Sequence, residues 1–476
     1  MKKILPVKIN GTLLLIFLLH FCSPDQKIHP DFNGCWKIFI VNQDGTEREY
    51  GILKFISESK AQVFQLKREY HIRDRSIRIE GDSLFFVFEN QPFRGKINPD
   101  KKRITGSTNT LRVSFYYDAD ATMLEQQNST NVTPYRYNEP EVRKDGLTCS
   151  GLDHAQINIS QIEELTSKII SGAYNDIHSL LILKDNQLVY EKYFPEKIFS
   201  GYPDSFYRDN YHRTFSVTKA VVSALTGIAI DMKYIESAND PVFKYFPGYT
   251  QYINGNKNEL QIRHLLTHTV GLQWDEDGDD MSLMGSSKDR IRFFLERPLV
   301  HQPGELFSYC SGGLNILGEI IEQQSGMRLD QFAYETLFAP LGISDYRWKI
   351  EPDGKLQMGS GLCLRSRDMA KIGLLFLNNG KWNGKQVISK LWIKQSTEWS
   401  VNKKARNGMG YCWWQRDFKI NDQIIHSYFA WGHGDQHIFI FPEMDMIVVT
   451  TAANYDKGQG SRVFKILEDY ILQASL

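Results

Sequence analysis

The sequence has no excess of charge of either sign. Its 476 residues include 56 lysines and arginines against 56 aspartates and glutamates, so the composition gives no electrostatic argument for binding nucleic acid or an anionic membrane surface. Cysteine is scarce too. The six cysteines form no C-x-x-C pair, which excludes a disulfide-scaffold protein and gives no sign of a zinc or redox motif. With 42% hydrophobic residues, the chain can build more than one buried core, and its length predicts roughly two to three domains.

Long apolar runs are also missing, except near the start of the chain. Two lysines and Lys8 precede an apolar stretch at residues 13–21, which is too short to span a bilayer comfortably and predicts an export signal over residues 1–22. Cys22 then resembles a bacterial lipoprotein junction, where it would anchor the protein to the membrane, although Phe21 stands where a small residue is expected. Acylation, plain cleavage and an uncleaved anchor stay open. All three predict an exported protein of the cell envelope, periplasmic or lipid-anchored if the source is bacterial.

Residues 30–117 show the alternation of apolar and polar residues that is typical of strands. The short runs with this pattern stand at 36–41, 52–55, 77–79, 84–88 and 111–115. They predict a small all-β domain, a sandwich or a barrel, and Gly34-Cys35-Trp36 resembles the start of lipocalin-like barrels. An accessory domain and a ligand-binding one both remain open. Residues 118–160 are polar, contain two prolines and predict a linker.

Residues 161–476 read as a mixed α/β domain. Helical spacing covers residues 162–170, and a hairpin is predicted for residues 180–190 around Asp185-Asn186. A helix is expected to begin near Ser216. Its residues 220–230 are apolar or small on every side, which predicts a helix buried in the middle of the domain.

Ser216 and Lys219 form an S-x-x-K tetrad at the start of that helix. Residues three apart share a helix face, so the Lys219 amine is expected beside the Ser216 hydroxyl, where a neutral amine can take the serine proton. The Ser216 N–H would point toward the developing charge on a reacting carbonyl. The tetrad alone is weak evidence, because it also occurs at Ser57/Lys60 and Ser400/Lys403.

Two later segments strengthen this interpretation. After the tetrad come IRHLLTHTVGL at 262–272 and PGELFSYCSGGLNILGEIIE at 303–322. Together the three closely resemble the β-lactamase-related serine hydrolases, which include class C β-lactamases, DD-peptidases, esterases and 6-aminohexanoate-dimer hydrolase. The resemblance covers roughly residues 160–476. It implies a β-lactamase/transpeptidase-like α/β (α+β) domain, with an antiparallel sheet flanked by helices.

The same resemblance assigns roles to Tyr309 and Ser311. Tyr309 corresponds to the tyrosine of the family's Y-x-N element and would act with Lys219 as general base and acid toward Ser216. Ser311 replaces the asparagine and is expected at the substrate site, with a weaker claim to the amide contact that the asparagine makes.

The third family element, K-T-G or H-T-G on an edge strand, is expected near residues 430–436. His433-Gly434-Asp435 offers one register, but counting back from the strand end at Pro442 places Gly432 on the motif glycine. In this preferred register Trp431 and Gly432 line the site, and the His433 N–H completes the oxyanion hole with that of Ser216. Ala430 then supplies no cation for a substrate carboxylate. The absence of this cation favours an ester or plain amide over penicillin as the substrate. Arg365 or Lys355 could supply the charge instead.

Other candidate residues have weaker cases. His264 and His268 stand four apart like a zinc pair, but the resemblance makes them structural. The acidic loop at 273–287 is expected to line the pocket, and Cys310 is a candidate reactive thiol. No metal or cofactor is required.

The sequence therefore predicts an exported serine hydrolase that cleaves an ester or amide bond through acyl-Ser216, acting on a small ester, amide or peptide-like molecule and not on nucleic acid. Its oligomeric state is not predicted. One alternative is a β-lactamase or DD-peptidase (penicillin-binding protein). Others are an acylated sensor, an inactive homologue, and a ligand-carrying β domain with the hydrolase portion as its support.

Overall fold

The computed structural model describes the backbone of the strands between residues 35 and 118. Beyond them it describes residues 135–174, 176–194, 209, 211–401, 407–455 and 462–476. The chain divides into two compact units, residues 1–133 with 195–203, and residues 134–194 with 204–476. The predicted signal at residues 1–22, including Cys22, lies outside the described residues.

The first unit contains a closed barrel of eight strands. Each strand pairs antiparallel with the next one along the chain, and the first pairs with the last, Cys35 opposite Asp118. Of the two predicted all-β architectures, the structure therefore has the barrel. The strands are β1 Cys35–Val41, β2 Glu47–Ser57, β3 Lys60–Gln65, β4 Arg73–Glu80, β5 Ser83–Phe88, β6 Gln91–Asn98, β7 Arg103–Ser107 and β8 Arg112–Asp118.

The second unit is built on an eight-stranded sheet in the order β17-β18-β19-β20-β21-β10-β11-β9. All its pairs are antiparallel except β9 with β11. Its strands are β9 Thr148–Cys149, β10 Ile177–Lys184, β11 Gln187–Tyr193, β17 Gly408–Met409, β18 Trp414–Ile420, β19 Gln423–Gly432, β20 Gln436–Phe441 and β21 Met446–Ala452. The shorter strands form small separate sheets: β12 His212–Arg213, β13 Arg347–Trp348, β14 Leu362–Leu364, β15 Lys381–Trp382 and β16 Lys385–Gln386.

Helices surround this sheet. The α-helices are α1 Ile159–Ile170, α2 Val217–Asp231, α3 Ile262–Leu266, α4 Asp280–Ser286, α5 Arg290–Leu295, α6 Gly312–Ser325, α7 Leu329–Ala333, α8 Ser366–Leu377, α9 Lys390–Thr397, α10 Arg462–Ile466 and α11 Leu472–Ala474. Short 3₁₀ segments are Val242–Tyr245, Pro247–Tyr252, Lys257–Glu259 and Pro442–Met444, and π-helical turns are Tyr334–Phe338 and Leu467–Ile471. Within the described residues, no helix combines the length and apolar character needed to cross a membrane.

Each face of the sheet buries its own hydrophobic core, because successive side chains of a strand point to opposite faces. In β10, Leu181 and Leu183 join the core that contains α2, α6 and α8. Leu180 and Ile182 join the core that contains α1 and α10. The predicted antiparallel sheet flanked by helices is confirmed, with β9 as its one parallel member.

The structure confirms two local predictions for this domain, the buried helix and the hairpin. Helix α2 is buried on every side from Val217 to Ala229, as its lack of a polar face requires. The β10–β11 hairpin turns at Asp185 and Asn186, whose φ angles of 52° and 64° are both positive, as a type I′ turn demands.

The structure differs from the predicted linker in residues 135–160, which are part of the second unit. Leu147 and Leu152 are buried, and β9 extends the sheet edge. The buried Arg367 guanidinium binds this segment, donating to Asp145 at 2.8 Å and to the carbonyl oxygen of Glu141 at 2.7 Å. The apolar residues of this segment are widely spaced among polar ones, so the sequence pattern did not predict that the segment is packed.

Candidate active site

Ser216 stands at the N-terminal end of α2, directly after a tight turn. Phe215 adopts the left-handed conformation with φ 47°, which is rare for a bulky side chain. Thr214 fixes the turn from the other side, because its N–H and its hydroxyl both donate to the carbonyl oxygen of Leu362, at 3.0 and 2.8 Å. The turn thereby presents a half-buried Ser216 at the start of the helix.

Lys219 lies one helical turn further along and is only 2% exposed. Its Nζ donates to Ser216 Oγ at 2.9 Å and to the carbonyl oxygen of Gly359 at 2.7 Å. Within the described part of the chain, no carboxylate forms an ion pair with it. A buried amine bound only to neutral oxygens beside a hydroxyl is the arrangement that proton transfer from a serine requires.

Tyr309 contributes the third side chain of this cluster. Its ring centroid lies 4.8 Å from Lys219 Nζ, stacked on His268 at 4.3 Å and on Trp414 at 6.2 Å between ring centroids. Tyr309 is half-buried. The structure therefore places the Tyr309 ring beside the Lys219 amine, which is bonded to Ser216.

His268 stacks on the Tyr309 ring and is bonded to the segment that carries it. Its Nδ1 accepts a hydrogen bond from the Cys310 N–H at 3.1 Å, and its carbonyl oxygen accepts from the Ser308 N–H at 2.8 Å. Burial, together with the positive charge of Lys219, lowers the pKa of His268 to about 3, so the ring is neutral. His264 serves differently, since its Nδ1 accepts from the Gln261 N–H at the start of α3.

The predicted third motif lies at the end of β19, between β18 and β20 and not on a sheet edge. A Cβ added to Gly432 would stand 2.2 Å from the carbonyl oxygen of Thr214, so the strand end abuts the backbone that leads to Ser216. The exposed His433 ring lies 5.6 Å from the Phe215 ring. Trp431 is half-buried and packs edge-on against Trp414 at 5.7 Å.

Gln436 shapes this turn, and sequence reasoning missed it. Its buried Nε2 donates to the carbonyl oxygens of His433 and Gly434, both at 3.0 Å, and of Ala452 at 2.6 Å. Its Oε1 accepts from the Ala452 N–H at 3.0 Å. One amide side chain thus fixes the backbone from 433 to 434 against β21. A glutamine directly after a G-H-G-D run was the only available signal.

Glu276 is the other residue that sequence reasoning missed, although its loop was expected near the pocket. Its carboxylate accepts hydrogen bonds from the Ser311 N–H at 2.8 Å, from the Ser311 hydroxyl, and from Trp274 Nε1 at 2.8 Å. The single hydroxyl proton of Ser311 is therefore already engaged. Ser311 lies against Gly359, whose added Cβ would stand 3.5 Å from Ser311 Oγ.

The two cations considered as carboxylate partners are both held in ion pairs. Lys355 Nζ contacts Glu319 at 3.0 Å and Glu322 at 2.8 Å. Arg365 pairs with Asp345 and also donates to the carbonyl oxygen of Asp209 at 3.1 Å. Ala430 is buried. Neither cation is free to bind substrate without breaking these contacts.

Cys310, considered as a reactive thiol, is fully buried. Burial raises its pKa well above the ordinary range of a thiol, and burial raises the pKa of Cys412 to about 12. Because the thiolate is the reactive form, neither cysteine suits nucleophilic chemistry. The reactive-thiol interpretation of Cys310 is therefore wrong.

Comparisons with known proteins identify the family and the fold. The family model described as "Beta-lactamase" matches residues 166–467. The protein named "Putative D-alanyl-D-alanine carboxypeptidase" from Escherichia coli (strain K12) is 27% identical over 218 residues, which cover 42% of this chain and 49% of that protein. The chain thus spans about half the length of the carboxypeptidase relatives that it matches.

Two solved structures share the fold. A "Putative 6-aminohexanoate-dimer hydrolase from Bacillus anthracis" is similar with a TM-score of 0.53 and 19% identity, over 72% of this chain and 87% of that one. The structure titled "EstCE1, a hydrolase with promiscuous acyltransferase activity" is similar with a TM-score of 0.53 and 16% identity, over 67% of this chain and 98% of that one.

Proposed function

The chain belongs to the Beta-lactamase family of hydrolases, and we propose that it cleaves an ester or amide bond through a covalent acyl-Ser216 intermediate. The observation that carries this proposal is the buried Lys219 amine, 2.9 Å from Ser216 Oγ and 4.8 Å from the Tyr309 ring centroid. The contact between Lys219 Nζ and Ser216 Oγ is within the reach that proton transfer in nucleophilic serine catalysis requires.

In the proposed acylation, Ser216 Oγ attacks the carbonyl carbon of the substrate and loses its proton to the Lys219–Tyr309 pair. The carbon–oxygen or carbon–nitrogen bond to the leaving group then breaks, and Tyr309 returns the proton to the departing alkoxide or amine. Water attacks the acyl-enzyme next. Its proton passes to the same pair and then to Ser216 Oγ, which releases the carboxylic acid and restores the free enzyme.

The backbone N–H groups of Ser216 and His433 are the proposed oxyanion hole. The contact of Gly432 with the Thr214 carbonyl supports this assignment, because it brings the turn that carries His433 next to the residues preceding Ser216. Gln436 would hold that turn in place through its bonds to the His433 and Gly434 carbonyls.

The second candidate function is that of a DD-carboxypeptidase, which the 27% identical relatives favour. The surroundings of the site support an ester or a plain amide instead. Ala430 is buried, and Arg365 and Lys355 are engaged with acidic residues. A substrate carboxylate would therefore meet no available cation among these residues.

The decisive experiment measures turnover of short acyl esters, linear amides, nitrocefin and a D-alanyl-D-alanine peptide by the full-length protein. Ester or amide turnover that Ser216→Ala abolishes supports the proposal. Ser400→Ala, which changes the exposed serine of another S-x-x-K tetrad, is the matched control and should retain full activity. Fast cleavage of nitrocefin or of the peptide, with no turnover of esters or other linear amides, would contradict the preference for an ester or plain amide and favour the second candidate function.

Export is part of the proposal and rests on the basic start and the apolar run at residues 13–21. Cell fractionation after expression in a bacterium, with and without Cys22→Ala, tests it. An envelope location supports export, and incorporation of labelled palmitate that Cys22→Ala abolishes identifies a lipid anchor. Retention of the full-length chain in the cytosol would contradict export.

A further inference from the structure

Glu276 places a carboxylate next to the proposed active site. It binds Ser311 through both the N–H and the hydroxyl of that residue. Ser311 in turn lies against Gly359, whose carbonyl oxygen accepts the hydrogen bond from Lys219. Only two residues, Ser311 and Gly359, therefore lie between the Glu276 carboxylate and the Lys219 amine.

The charge of this carboxylate is not balanced by an ion pair. Its three hydrogen-bond donors, the Trp274 indole and the two groups of Ser311, are all neutral. Across the described portion of the chain, no lysine, arginine or histidine lies within ion-pair distance of Glu276. Glu276 is also half-buried, so solvent screens its charge less than it would on an open surface.

We infer that Glu276 is a specificity-determining residue that makes the site prefer substrates with a positively charged group and disfavour those with a carboxylate. The inference rests on the proposed function and names its substrate class. A fixed negative charge attracts a cationic substrate group and repels an anionic one. The lack of a cation at Ala430 and the negative charge of Glu276 therefore both favour a cationic substrate group over an anionic one.

A purely structural role for Glu276 predicts something different. Its carboxylate lies at the N-terminal end of α6, where a negative charge stabilises a helix. Loss of a helix cap would lower stability and would affect all substrates alike. A charge that selects substrates would instead change the ratio of kcat/KM for a charged substrate to kcat/KM for a neutral substrate of equal shape.

The test compares a choline ester with the 3,3-dimethylbutyl ester of the same acid, which has the same shape without the charge. A second pair carries a trimethylammonio or a tert-butyl group at the end of the acyl chain. We expect kcat/KM to favour the cationic member of at least one pair by about tenfold. Glu276→Gln should reduce that preference to near unity.

Asp289→Asn is the matched control, because Asp289 also caps a helix, accepting from the Arg292 N–H at 2.9 Å, and lies outside the Ser216 cluster. It should leave the preference unchanged. A wild-type preference that persists in Glu276→Gln, or no preference in either pair, would overturn the inference even though Ser216-dependent turnover remains.

A binding arm separates this inference from the proposed function. Calorimetric titration of the choline ester into Ser216→Ala needs no turnover, and we expect about tenfold weaker binding in Ser216→Ala/Glu276→Gln. Equal binding by the two proteins would refute the role of Glu276. Absence of turnover in the wild type, combined with charge-dependent binding, would refute the proposed reaction alone.

Discussion

Replacing Gly432 with alanine would place a methyl carbon 2.2 Å from the Thr214 carbonyl oxygen and 3.0 Å from Gln436 Cβ. Ordinary van der Waals contact begins near 3.4 Å, so the end of β19 must move away from Thr214 by about 1.2 Å, the difference between 3.4 and 2.2 Å. Neither obstacle is the far end of a flexible side chain. The displacement therefore falls on the turn that carries the proposed His433 N–H donor.

A misplacement of about 1 Å costs on the order of 100-fold in rate, and loss of one oxyanion donor costs about 100- to 1,000-fold. We expect Gly432→Ala to lower kcat on a short acyl ester by about 100-fold, with a smaller change in KM. Strain in the fold should cost about 1–3 kcal/mol, which thermal melting will report separately.

Gly248→Ala is the control for this experiment. No atom lies within 4 Å of its added Cβ, and the residue is exposed. It should leave both the rate and the melting temperature unchanged. Wild-type kcat in a folded Gly432→Ala protein would refute the argument that this turn forms part of the oxyanion hole.

Lys219→Met should lower kcat/KM by about 100- to 10,000-fold on the same ester, because the general base is lost. Its unfolding free energy should fall by about 1–3 kcal/mol, since the Gly359 carbonyl loses its donor, and near-wild-type turnover would contradict a role as base. Tyr309→Phe should lower kcat by about 100-fold or more while KM and melting temperature change little, because the ring still stacks on His268; unchanged kcat would remove Tyr309 from the mechanism. Burial lowers the pKa of His212 to about 4 from an ordinary value of 6.5. Between these two pH values the unfolded chain binds a proton at His212 and the folded protein does not, so stability is lost as the pH falls from 6.5 toward 4. The unfolding free energy measured by urea denaturation should therefore decline with falling pH in the wild type, and the decline should be shallower in His212→Asn by up to about 1.4 kcal/mol per pH unit. Equal slopes in the two proteins would contradict the lowered pKa of His212.

The parts of the structure that the sequence predicted are those set by local geometry. Ser216 and Lys219 are neighbours because residues three apart on a helix share a face. The hairpin follows from Asp185-Asn186, which tolerate positive φ. The alternating run Ile77-Arg78-Ile79 falls within strand β4 of the barrel.

The missed features depend on contacts between distant segments. Strand β3, Lys60–Gln65, is short and partly polar, so its pairing with β2 and β4 left no strong pattern. Glu276 meets Ser311 across 35 positions of sequence, and one acidic residue among several in the 273–287 loop carries no mark of that contact. The position of β19 inside the sheet likewise depends on β17 and β18, which arrive from residues 408–420.

The most direct test of the central claim is to identify the nucleophile. The full-length protein is incubated with a fluorophosphonate probe, and the adduct is counted by intact mass and located by peptide mass spectrometry. One adduct per chain on Ser216, absent in Ser216→Ala and formed far more slowly in Lys219→Met, is the predicted result. No adduct on a folded wild-type protein, or an adduct on another serine, would contradict the claim that Ser216, Lys219 and Tyr309 form a working catalytic group.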